Sequence, residues 1–79
     1  MGTIYIASSN GKLSKRGDSL LFTDYDGTLT ILQPHNVHQL FVIGVMEITG
    51  QAMQVLMKNS IETIFVSKNG KYDGKIVFQ

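Results

Sequence analysis

The sequence predicts a small, mainly β (α+β) domain: an antiparallel meander or small sandwich with one α-helix packed on it. Short β-branched and aromatic segments recur, and most are closed by a glycine-containing turn. Only residues 49–60 place apolar side chains at helical spacing. A chain of 79 residues has room for one domain, spanning 1–79.

"TIYIAS" (3–8) alternates and reads as the first strand, and "SNG" (9–11) has turn chemistry. The following stretch breaks at Arg16-Gly17-Asp18 and again at Asp26-Gly27. Asp-Gly between alternating segments is a strong hairpin signal, because a type I′ turn needs positive φ at both central residues. Residues 3–33 thus read as about four antiparallel strands, with Asp26 and Gly27 at a hairpin tip and Asp24 within a strand. Pro34 ends the meander, since it lacks the N–H that a ladder needs.

The continuous apolar run Leu40 to Ile43 suits a strand buried on both faces and closed by Gly44. Thr49 then fits a helix N-cap, its hydroxyl accepting an orphan backbone N–H. Ala52, Val55, Leu56 and Met57 form the face expected to pack on the sheet, and Asn59 or Ser60 takes the left-handed position at the end. This is the one segment long enough to be a crossover helix between parallel strands. "IETIFVS" (61–67) reads as a buried strand, "KNGK" as an Asn-Gly turn and "YDGKIVF" (72–78) as a last strand.

Composition excludes more than it assigns. The chain has no cysteine, so no disulfide or thiolate zinc site braces it, which points to the cytosol. No stretch approaches the ~20 apolar residues of a membrane span. A net charge of +1 is too small to argue for nucleic acid by itself. Lys12, Lys15 and Arg16 nevertheless cluster near the start, and Lys68, Lys71 and Lys75 near the end. If the fold joins those segments, a basic face for DNA phosphates results; otherwise they are solvated hairpin residues.

"FTDYDGTLT" (22–30) is similar to the opening of haloacid-dehalogenase-like phosphatases, with Asp24 as nucleophile, Asp26 as acid/base and a magnesium ion between them. Downstream, however, Glu47, Glu62 and Asp73 are isolated, and a doubly wound sheet needs several crossover helices. A turn explains Asp26-Gly27 without any chemistry. His35 and His38 are three apart, as metal ligands on a helical turn can be, but no third ligand lies near them in sequence. They read as the polar approach to the buried strand.

From end to end the order of elements resembles the N-terminal β domain of the CRISPR-associated adaptation integrase family. "TIYIASSNGKLSKRGDSLLF" is similar to that family's opening strand, glycine and short basic hairpin. "LQPHNVHQLFVIG" is similar to its proline-led buried strand. "ITGQAMQVLMKNSIETIFVSKNGKYDG" is similar to its threonine-opened helix, following strand and glycine-bearing turn. Ser60 departs from the family's usual glycine, and Asn59 is expected to supply the left-handed residue instead. The resemblance implies a domain for dimerisation and DNA positioning in spacer acquisition, inactive by itself. Its implied partners are a second copy, a companion subunit and duplex DNA. The family's catalytic glutamate, histidine and further acid, with their magnesium or manganese, belong to a C-terminal helical domain. His35, His38, Glu47 and Glu62 do not match them, so no catalytic or metal residue and no cofactor is expected in this chain. A stand-alone DNA-binding or protein-interaction module is the alternative.

Overall fold

The computed structural model describes residues 2–77. Among them lie six strands, β1 (Gly2–Arg16), β2 (Ser19–Thr23), β3 (Leu29–Leu32), β4 (Val37–Ile48), β5 (Glu62–Val66) and β6 (Tyr72–Ile76). A 3-10 turn, Pro34–Asn36, precedes β4, and one α-helix, α1 (Gly50–Lys58), follows it. The expected class is observed: mainly β, with a single helix packed on the sheet.

The connectivity differs from a meander. The strands form one mixed sheet in the order β3-β2-β1-β4-β5-β6. The β3-β2, β2-β1 and β5-β6 pairs are antiparallel, whereas β1-β4 and β4-β5 are parallel. Parallel neighbours need a long connection. Helix α1 provides it between β4 and β5, and the β2-β3 hairpin with the 3-10 turn provides it between β1 and β4.

"SNG" is not a turn. β1 runs through it as one 15-residue strand. Between the Ser8–Gly44 and Gly11–Met46 rungs, β1 advances three residues while β4 advances two, which is a bulge. Gly44 does not close β4 either; it sits in mid-strand with φ 105°.

The two-residue hairpin at Gly17-Asp18 has positive φ at Gly17 only, as a II′-type turn does. The loop after β2 is longer than a two-residue turn. Gly27 N–H donates to the Asp24 carbonyl and Asp24 N–H to the Thr28 carbonyl, both at 2.9 Å. Gly27 has φ 90°, but Asp26 is not in the left-handed region, and Asp24 lies just beyond the end of β2. The hairpin is where the sequence places it, with a three-residue loop in place of type I′. The turn after β5 repeats this device. Gly70 N–H donates to the Ser67 carbonyl, Ser67 N–H to the Lys71 carbonyl, and Gly70 has φ 82°.

The core lies between one face of the sheet and α1. Leu13, Leu20, Leu40, Val42, Leu56 and Ile61 are fully buried there, with Ala52. Met57 points away from them and is exposed, because it follows Leu56 by 100° around the helix. Thr49 caps α1 by accepting from the Ala52 N–H at 3.1 Å. At the other end the Ile61 N–H donates to the Leu56 carbonyl and the Ser60 N–H to the Met57 carbonyl. That is a Schellman motif, and the buried Leu56 and Ile61 supply its apolar contact. Ser60 itself is left-handed, at φ 53°, while Asn59 stays at φ −99°. The expectation that Asn59 substitutes for the family's glycine is thus corrected.

Two stability outcomes follow. A non-glycine residue in the left-handed region carries a cost of roughly 1–2 kcal/mol, part of which glycine's looser unfolded chain offsets. Ser60→Gly should therefore raise the unfolding free energy by up to about 1 kcal/mol, read as a higher urea midpoint at unchanged slope. Thr49→Ala should lower it by about 1 kcal/mol through loss of the cap.

Candidate functional site

The face of the sheet opposite α1 carries an apolar surface. Register places Tyr5, Phe41 and Ile64 in one row across β1, β4 and β5, and Ala7, Ile43 and Val66 in the next. Tyr5 and Phe41 stack with ring centroids 4.9 Å apart. Tyr72 lies opposite Val66 on β6, and Val45 continues the same face of β4. Tyr5 is 67% exposed, Val45 63% and Tyr72 60%, while Phe41, Ile43, Ile64 and Val66 are half-buried. The run Leu40–Ile43 is thus buried on one face only: Leu40 and Val42 are covered by the core, and Phe41 and Ile43 are not.

One edge of this surface is polar. The Gln39 side-chain amide donates to Glu62 Oε1 at 2.6 Å, and Lys75 Nζ lies 3.4 Å from Glu62 Oε2. The Gln39 hydrogen bond, followed by the lysine, holds the Glu62 carboxyl below the usual glutamate range. At the β2-β3 hairpin the Asp26 carboxylate accepts from the Thr28 N–H at 3.0 Å, which lowers its pKa. Asp24 accepts from the Tyr25 N–H at 2.8 Å. Both aspartates thus serve the turn. Among the described residues no three His, Cys, Asp or Glu side chains come together. Neither the phosphatase-like string nor the His35/His38 pair belongs to such a group.

The basic residues are distributed as follows. Lys12, Lys15 and Arg16 occupy the end of β1, beyond the last β4-β5 rung at Ile43–Val66. Lys12 faces Glu47 across the β1-β4 ladder. Lys68 and Lys71 are in the β5-β6 turn, and Lys75 is engaged with Glu62. β4 stands between the two clusters in the sheet order. Lys15 has a different neighbourhood, a groove of about 440 Å³ between the β1-β2 turn, the 3-10 turn and the outer side of α1. His35 and Lys58 line it with Lys15. Lys58 was not among the basic residues singled out from the sequence; its signal was the spacing Gln51, Gln54, Lys58, a polar stripe on one helix face.

The family model for "CRISPR associated protein Cas1" matches residues 4–79. The chain belongs to the Cas1 family. A search of curated protein sequences finds no match. Among solved structures, a Cas1 protein from Thermotoga maritima is similar over the whole chain, with a TM-score of 0.87 at 20% identity. TtCas1 in complex with DNA is also similar over the whole chain, at 16% identity and a TM-score of 0.86. A casposase bound to its integration product is similar over 98% of the chain, at 15% identity and a TM-score of 0.77. The chain spans 25%, 29% and 25% of these three. At such identities the likeness is one of fold.

A pH outcome follows from Glu62. A carboxyl held below its unfolded pKa adds stability above the unfolded value, and that stability disappears as pH falls through the folded one. The wild type should therefore lose stability below about pH 4, and Glu62→Gln should flatten part of that acid limb. Urea titrations at pH 7, 4 and 3 read the difference. A limb of unchanged steepness in Glu62→Gln counts against the assignment.

Proposed function

We propose that these residues are the N-terminal β domain of a Cas1-type integrase, dimerising and helping to position DNA during spacer acquisition, with the catalytic chemistry elsewhere in the parent protein. One observation carries this reading. The sequence builds β4 for burial on both faces, and the isolated chain buries one. Contiguous apolar surface of this kind, rimmed here by Gln39, Glu62 and Lys75, marks a protein interface. A second copy presenting the same face would cover Tyr5, Phe41, Ile43 and Val45 in a symmetric, self-complementary contact.

The similar proteins support the wider role. Among them are a Cas1 solved with DNA, a casposase bound to an integration product and a Cas6-RT-Cas1–Cas2 complex. By that analogy the partners of the parent are duplex DNA and a companion subunit of the Cas2 type. Its divalent metal would be held by residues outside these 79. The domain would act in the cytoplasm, where such DNA is found. No helix among the described residues is long and apolar enough to cross a membrane.

Sedimentation equilibrium tests the dimer. The chain should show twice its 8.8 kDa mass at tens of micromolar. Tyr5→Lys combined with Val45→Lys should restore the monomer while leaving the melting temperature within a few degrees, since both side chains are already exposed. A wild type that stays monomeric at high concentration overturns the self-association.

A further inference from the structure

We infer that the groove between α1 and the β1-β2 turn is a phosphate-binding subsite for a nucleic-acid backbone. The inference rests on the DNA-positioning role and gives it a location on the side of the sheet away from the apolar face. Three separate elements contribute basic residues to the lining of one space. Lys15 comes from the end of β1, His35 from the 3-10 turn, and Lys58 from the last turn of α1. Gln51, Gln54 and Asn59 also line the groove, the Asn59 amide donating one hydrogen bond to the Val55 carbonyl at 2.9 Å, and the buried Val55 completes the helix side. Asp18 is the one carboxylate on the rim.

The chemistry of this lining suits an anion with several acceptor oxygens. Lysine binds phosphate as a point charge, and amide N–H groups add directional hydrogen bonds. Small-ligand sites bury most of their ligand among apolar walls, whereas this groove is open and its cations, Lys15 and Lys58, are exposed. Backbone recognition needs only such an open cationic track and carries no sequence information. Lys58 lies at the C-terminal end of α1 and Lys15 at the end of β1, so strand and helix ends meet at the groove.

Salt titrations of binding to a 20-base-pair duplex test the assignment in the 79-residue chain. Each lost phosphate contact lowers the slope of log K against log salt by ~0.9. Lys15→Gln with Lys58→Gln should therefore lower it by roughly 2 and weaken binding at every salt concentration. Asp18→Asn should tighten binding roughly two- to threefold by removing a like charge, a gain that misfolding cannot mimic. An unchanged slope in the double lysine variant, or no tightening in Asp18→Asn, overturns the groove while leaving dimerisation and DNA binding intact. Inorganic phosphate alone, shifting the Gln54 and Asn59 amide resonances as strongly as duplex does at equal phosphate concentration, overturns the nucleic-acid assignment in favour of a free-anion site. Absence of duplex binding at low salt overturns the groove and the DNA-positioning role together, and the sedimentation result then stands alone.

Discussion

The parallel ladder between β1 and β4 is the constraint from which the rest of the fold follows. These are the two longest strands, and they stay paired from Gly2–Val37 to Leu13–Ile48. Because the pairing is parallel, all the chain between Arg16 and Val37 must cross from one end of the sheet to the other. The β2-β3 hairpin lies within that connection and pairs with β1 on its free side, but it returns to the end where it began, Leu32 pairing with Leu20 and Leu20 with Lys15. The ladder also fixes the helix: the Thr49 N–H donates to the Leu13 carbonyl at 3.0 Å, so α1 starts where the ladder ends. Leu13, Leu40 and Val42 are thereby brought beneath Ala52, Val55 and Leu56 as one core.

A chain this short has apolar volume for one such layer. Small domains bury a low fraction of their surface, and among the described residues α1 is the one helix that covers the six strands. Its nine residues, about 13.5 Å long, shield one face only. The far face of β1, β4 and β5 then carries apolar side chains with nothing from the described chain upon them. Burial of that face by the proposed association would add stability that rises with the logarithm of concentration, which suits a marginal domain.

What the sequence shows is what local chemistry determines. Thr49 as cap, the buried positions Ala52, Val55 and Leu56, and the glycine turns at 17, 27 and 70 are all settled within a few residues, and all are visible in advance. What it hides is set by partners distant in the chain. "SNG" carries turn residues, yet the ladder with β4, resumed at Gly11–Met46, absorbs the irregularity as a bulge. A crossover is recognised in sequence by a helix, so a connection that contains a hairpin instead reads as part of a meander. Ser60 accepts a left-handed backbone because the Schellman hydrogen bonds and the Leu56–Ile61 contact hold it there; propensity alone favours Asn59. The groove escaped for the same reason: nothing in the chain order of Lys15, His35 and Lys58 says that they share one space.

The double-sided character of β4 is the point at which sequence and structure inform each other most. Alternation would have marked a strand half in water; Leu40-Phe41-Val42-Ile43 does not alternate. Selection of apolar residues at positions 41 and 43 is unexplained by the fold of one copy, since Leu40 and Val42 alone complete the core. The same holds for Tyr5 beside Phe41 and for Val66 beside Ile43. Polar side chains there would leave the core intact and reduce the risk of aggregation. Their apolar character fits the association proposed above, since among the described residues nothing packs on that side of β4. The proposed self-association would use this face of the sheet, and the proposed anion groove lies on the helix side, so the two readings do not compete for one surface.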